Sequence, residues 1–255
     1  MSGHSKWATI KRKKSAIDSE RSKVFTKIAK EMQVAVRQGG PDPDGNFRLK
    51  LCIQKAKAAN MPADNIRRCI DKASGSADAA AIEEFTYEGY GAGGVAVLCS
   101  IMTDNRNRVA SEVRYIFSRN NGNLGETGCV GWMFSRKGEL VVDITGKDED
   151  EFMMVALDAG ADDMTSEYDE EEETTTAEVI TDPSVLLEVR TAIEQAGYEV
   201  KSGEITMKPD NTVEITDVET AAKLMKLIDA LEDNDDVQAV YANYDIPDHI
   251  MEQLG

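Results

Sequence analysis

The chain has 255 residues, 41% hydrophobic and 30% charged, with two histidines and a formal net charge of −18. Apolar runs such as VAVLCSIM are far shorter than the ~20 residues that cross a bilayer, and no apolar stretch follows the positive start, so neither a membrane span nor a secretory signal is expected. The cysteines Cys52, Cys69, Cys99 and Cys129 are scattered without CxxC spacing, which favours reduced thiols in a cytoplasmic protein over disulfides or zinc.

In chain order, residues 1–14 carry His4, Lys6, Trp7, Lys11, Arg12, Lys13 and Lys14, with no acidic residue before Asp18. From Ser15 to Gln38 the apolar residues Ile17, Val24, Phe25, Ile28, Met32 and Val36 recur at three- and four-residue steps, which predicts a helix ended by GGPDPDG. A second helix is expected over Phe47–Ala59 with Leu49, Cys52, Ile53 and Ala56 inward; NMPAD breaks it. A third runs over Ala63–Ala73 with Ile66, Cys69 and Ile70 inward. SGSADAAA reads as a linker. EEFTYEGY and GVAVLCSIM then read as strands around a Gly-rich turn, Asn105–Arg119 as a helix, and GCVGWMF as a further strand.

ELVVDIT opens a new unit of strand, helix over Asp148–Leu157, strand, acidic turn and strand. A helix from Pro183 with Asp182 as N-cap and a strand over Tyr198–Met207 follow. VEIT then leads into a helix over Asp217–Leu231, where Thr216 and Glu219 are placed as a capping box, and VQAVYANY is the last strand. The fold class is α+β. A basic helical domain (1–75) is expected, then two α/β units; the last helix and strand either complete the second unit or belong with the first (82–137 plus 211–246), which would make 138–210 an acidic insertion.

Charge is segregated along this layout. Residues 1–75 hold 17 Lys+Arg against 7 Asp+Glu, 76–137 hold 6 against 7, and 138–255 hold 6 against 33. Such asymmetry points to a polyanion at the basic end, docked in one orientation because the acidic end repels it. The cations off the apolar helix faces, Lys23, Lys27, Arg48, Lys50, Lys55, Lys57, Arg67 and Arg68, join the amino-terminal cluster as candidate phosphate contacts. Trp7 either offers an indole face for stacking or packs on the helical domain, and His4 lies at a surface or on a phosphate.

Catalytic patterns are not found. GYGAGG matches G-x-G-x-x-G, but a β-type run follows where a dinucleotide loop must open a helix, so a hairpin turn is expected. His4 and His249 stand at opposite ends of the chain, which leaves a Ser-His-Asp site or a His-rich metal centre hard to assemble. The acidic runs contain no calcium loop. No enzyme activity, cofactor, metal or small-molecule substrate is expected. A second candidate surface is TDNRNR, where Asp104, Arg106 and Arg108 flank a helix start and Arg119 lies further along the same helix. Cations there oppose the helix dipole and ask for an anion or an internal Asp–Arg network.

GHSKW, NFRLKLCIQKAKAANMPADNIRRCIDKASG, YEGYGAGGVAVL, TDNRNR and GCVGWMF together resemble the YebC/PmpR family of probable transcriptional regulators, relatives of a mitochondrial translational activator of cytochrome c oxidase. The resemblance spans the chain and implies a helical domain followed by two α/β sandwich domains of ferredoxin-like type, one inserted in the other. It also implies a cytoplasmic location and no catalysis. One departure is Phe47 where the family commonly has Pro after Asn, which bears on the start of the second helix. The resemblance implies either a DNA-binding regulator of transcription or an RNA-binding, ribosome-associated regulator of translation. An acidic protein-interaction scaffold is the third reading.

Overall fold

The computed structural model describes residues 17–75, 82–169 and 172–254. Three helices come first: α1 (Ile17–Gly39), α2 (Phe47–Ala58) and α3 (Ala63–Gly75). Their common core is made by Ile28, Met32, Ala35 and Val36 of α1, Leu49, Cys52 and Ala56 of α2, and Ile66 of α3, with Met61 between the last two. Met32, Ala35, Leu49 and Ala56 are fully sealed from water, and each large apolar side chain so buried contributes roughly 1.5–3 kcal/mol.

Polar residues set the corners. Asn46 caps α2: its Oδ1 accepts the Leu49 N–H at 3.1 Å, while its amide donates to the carbonyls of Ala35 and Gly40, both at 2.8 Å. This buried side chain joins the end of α1 to the start of α2, whose first residue is Phe47. Between α2 and α3, Asn60 adopts a left-handed φ of 58°, its N–H donates to Lys57 O and that of Met61 to Ala56 O. This is a Schellman ending, and Pro62 behind it starts α3.

Strands β1 (Glu83–Tyr90) and β2 (Ala96–Thr103) form an antiparallel hairpin closed by a 3₁₀ turn at Ala92–Gly94, as expected for GYGAGG. Gly93 has φ 72°, and a Cβ there would stand 2.5 Å from Ile215 Cδ1, so the turn needs glycine on both counts. Helix α4 (Arg106–Arg119) and the short β3 (Asn123–Leu124) follow, then a 3₁₀ turn at Gly131–Met133 and β4 (Phe134–Asp143). GCVGWMF is therefore mostly turn, and the strand begins only at its final residue. Next come α5 (Glu149–Asp158), β5 (Asp163–Asp169), β6 (Thr174–Thr181), α6 (Leu186–Gln195), β7 (Glu199–Pro209) and β8 (Val213–Glu214). The chain closes with α7 (Val218–Glu232), β9 (Val237–Ala242), β10 (Tyr244–Asp245) and α8 (Asp248–Met251).

Two expected caps move. Asp217, next to Thr216, caps α7 by accepting the Thr220 N–H at 2.8 Å. Asp182 makes a turn with the Ser184 N–H, and α6 begins later, at Leu186.

The chain divides into two compact units, residues 135–208 and the remainder. In the first, β5-β6-β4-β7 is built in the order strand–helix–strand–strand–helix–strand, the split βαβ arrangement of ferredoxin-like folds. Pairing sets Leu140 opposite Val179 and Val142 opposite Ala177, all four buried. In the second, the sheet order is β3-β1-β2-β9. Its core gathers Val97, Cys99 and Ile101 of β2, Val109, Val113 and Phe117 of α4, Leu224, Leu227 and Ile228 of α7, and Val240 of β9. Helices α1–α3 belong to this second unit.

Candidate nucleic-acid interface

His4, Lys6, Trp7, Lys11, Arg12, Lys13 and Lys14 lie outside the described residues. The cations of α1 are engaged within the molecule. Lys23, Lys27 and Lys30 recur at helical spacing and reach the last residue of α7 and the acidic segment after it. Lys23 Nζ lies 3.1 Å from Asp233 Oδ1, and Lys27 Nζ donates to Glu232 O at 2.7 Å. Lys30 Nζ donates to Asp235 O at 2.7 Å and to Asp236 Oδ1 at 2.6 Å. The last carbonyls of a helix carry partial negative charge, so ammonium groups are favoured there. Asp236 is 2% exposed, and its second oxygen lies 2.8 Å from the Arg108 guanidinium. One buried carboxylate thus ties α1 to α4.

On α2, Arg48 grips Glu84 of β1 through both terminal nitrogens, at 2.8 and 2.5 Å, and donates to Gln38 at 2.9 Å. The hydrogen bond to Glu84 raises the Arg48 pKa against the opposing effect of burial. Lys55 stands 3.8 Å from Glu31. Lys23, Lys27 and Arg48 therefore hold the helices to the neighbouring sheet and its loops. Lys50 and Lys57 of α2 and Arg67 and Arg68 of α3 differ: all four are exposed, and none makes an ion pair among the described residues. They face solvent on helices whose other sides are packed, as do Arg114 and Arg119 of α4 and Lys226 of α7.

The start of α4 is answered internally. Arg106 pairs with Glu83 at 3.4 Å and stacks over the Phe85 ring, 4.2 Å from its centroid. Arg108 lies 3.3 Å from Asp104, 3.8 Å from Glu112 and 2.8 Å from Asp236. An Asp–Arg network accounts for these cations without an external anion. Arg119, in the last turn of α4, is exposed and placed where a cation suits the helix dipole.

Among the described residues, no group of three His, Cys, Asp or Glu side chains could hold a metal ion, and no helix is long and apolar enough to cross a membrane. The four cysteines are free, and burial pushes the Cys52 and Cys99 thiols up to about 12, far from the thiolate that nucleophilic chemistry needs.

A feature missed in the sequence lies on β1. Glu88 is 5% exposed and its carboxylate accepts three backbone N–H groups: Gly128 at 2.8 Å, Val130 at 2.8 Å and Gly131 at 2.6 Å. Burial works to raise this carboxyl pKa, but the three N–H donors prevail and hold it below the usual value. The main-chain oxygen of Glu88 also takes the Gly125 N–H at 2.8 Å. The loop so fixed presents Trp132, 69% exposed, between buried Val130 and Phe134. Its only sequence signal is spacing of glycines around a Trp, and the partner that organises it lies about 40 residues upstream.

Sequence models of two families match: TACO1/YebC protein N-terminal domain over residues 5–76, and TACO1/YebC second and third domain over 82–244. A protein of Moorella thermoacetica is 55% identical over 255 residues, covering 100% of this chain and 99% of its own. One of Syntrophobacter fumaroxidans is 54% identical, covering 100% of both. Each is named a probable transcriptional regulatory protein. Among solved structures, a conserved hypothetical protein from Aquifex aeolicus superposes with a TM-score of 0.82 at 44% identity, over 91% of this chain and 93% of that one.

Proposed function

The chain belongs to the TACO1/YebC family, and on that premise we propose that it is a non-enzymatic cytoplasmic regulator of gene expression that binds nucleic acid. The observation that carries this reading is the sorting of cations on the helices. Those of α1, with Arg48, close internal contacts, whereas Lys50, Lys57, Arg67 and Arg68 face solvent on α2 and α3; the sequence before α1 is itself rich in Lys and Arg. Cations held at a surface without carboxylate partners neutralise phosphates and release counterions. Fixed carboxylates elsewhere on the chain orient the encounter.

Duplex DNA is the first partner, in keeping with the relatives' names. Four residues, 59–62, connect α2 to α3, the turn length of a helix-turn-helix, and Arg67 and Arg68 stand on the second helix, the one such motifs lay in the major groove. RNA, messenger or ribosomal, is the second reading, favoured by the exposed indole of Trp132. Crosslinking the protein to nucleic acid in cells and sequencing what is recovered tests both. Promoter DNA supports the first, ribosomal or messenger RNA the second, and recovery at background for both would leave an acidic protein-interaction scaffold in their place.

A further inference from the structure

Trp132 is exposed without being loose. Val130 and Phe134 on either side of it are buried, and the loop that carries it is locked to Glu88 through four main-chain contacts. The indole itself is pinned by its edge: Nε1–H donates to Cys129 O at 3.2 Å, and the Tyr90 hydroxyl donates to the same carbonyl at 3.3 Å. Space is also committed, since a Cβ on Gly131 would stand 3.3 Å from both Glu88 carboxylate oxygens and one on Gly125 only 2.5 Å from Cys129 Sγ. The single polar atom of the ring is therefore satisfied inside the protein, and what faces solvent is a flat aromatic face held in a fixed orientation.

We propose that Trp132 is a stacking site for an unpaired nucleobase. A protein-binding hot spot needs a surround of apolar side chains that excludes water. No other large apolar side chain of residues 120–134 is exposed. A stacking platform needs only a rigid π-face, and every base offers a matching one. Arg48 and the Trp132 loop are both tied to β1. Glu84, which holds Arg48, and Glu88, which holds the Trp132 loop, are four residues apart on one face of β1, about 13 Å at ~3.3 Å per residue. A single strand passing Trp132 can lay an unpaired base on the indole face. The inference rests on the nucleic-acid reading above and deepens it: where the bound nucleic acid passes Trp132, its base is unpaired.

The test compares the full-length wild type with Trp132→Leu and Trp132→Phe, using anisotropy of labelled twelve-residue oligouridylate RNA and oligothymidylate DNA, a blunt DNA duplex, and inorganic polyphosphate as competitor. Trp132→Leu is expected to weaken both single strands about five- to 150-fold, the effect of losing one stacked base. Trp132→Phe retains most of the affinity. Duplex and polyphosphate affinities and the salt slope stay at wild-type values, because a paired base has no free face and polyphosphate has no base. Equal single-strand affinities for all three proteins would overturn the proposal, give the indole to a protein partner and leave nucleic-acid binding intact. An equal loss for polyphosphate would overturn it in favour of a purely structural Trp132. Failure of the wild type to bind any oligonucleotide would remove the parent reading as well.

Discussion

Replacing Glu88 by alanine withdraws one acceptor from three backbone N–H groups at once, those of Gly128, Val130 and Gly131. The Val130 donor is fully buried and its orphaning costs about 1–3 kcal/mol; the two half-buried glycine donors, which water reaches in part, add about 1 kcal/mol each. The expected loss is about 3–5 kcal/mol, or about 6–20 °C in Tm at the ~2–4 °C per kcal/mol typical of domains of this size. Glu88→Gln keeps the shape but brings an NH2 group against backbone donors and should lose about half as much. The assays are thermal unfolding by circular dichroism and amide exchange at residues 128, 130 and 131. The pH dependence has a fixed sign. A carboxyl held lower in the folded than in the unfolded chain stabilises above its unfolded value of about 4.3, and that contribution fades as pH falls through the lowered folded value. Acid destabilisation below about pH 5 should therefore be shallower in Glu88→Gln than in wild type. A Tm within about 2 °C of wild type for Glu88→Ala, with unchanged exchange at the three amides, would refute the reasoning.

Asp236→Ala should cost about 1.5–3 kcal/mol because it removes the buried acceptor shared by Lys30 and Arg108, which keep Asp235 O and the Asp104 and Glu112 carboxylates, whereas Lys23→Ala, which breaks an exposed pair with Asp233, should cost under about 1 kcal/mol; urea titrations of both variants decide this. Asn46→Ala removes a cap and leaves the Ala35 carbonyl without its buried donor, an expected loss of about 2–3 kcal/mol read in the same titration. Gly89→Ala would set a Cβ 2.5 Å from Asn123 O and 2.7 Å from Phe117, so it should destabilise by about 1–3 kcal/mol or more, measured as a lowered Tm.

Local signals explain which parts of this structure were legible. Ile28, Met32 and Val36 repeat at helical spacing, and Asn60, Pro62 and Gly93 punctuate by their backbone preferences, so α1–α3 and the hairpin turn follow from neighbours in the chain. Thr216 and Asp217 are both good capping types one residue apart; only the placed carboxylate, on the Thr220 N–H, separates them. GCVGWMF is apolar enough for a strand, and it becomes a turn because a carboxylate some 40 residues upstream demands its N–H groups. The same limit governs the cations. A helical face bearing Lys23, Lys27 and Lys30 reads as a solvated or phosphate-binding face, yet it docks on the segment 232–236, more than 200 residues away. Sequence spacing shows that such a face is polar. It carries no record of whether water, nucleic acid or the protein's own carboxylates lie against it.

The central claim is that cations left unpaired on α2 and α3 hold phosphates, and a salt titration tests it most directly. Log Kobs for a DNA duplex is measured against log salt for wild type and for a variant with Lys50, Lys57, Arg67 and Arg68 all changed to Glu, with Tm monitored alongside. Each phosphate contact contributes about 0.9 to the slope, so the account predicts a slope shallower by about 3 to 4 and an unchanged Tm. Identical slopes and affinities for the two proteins would contradict it.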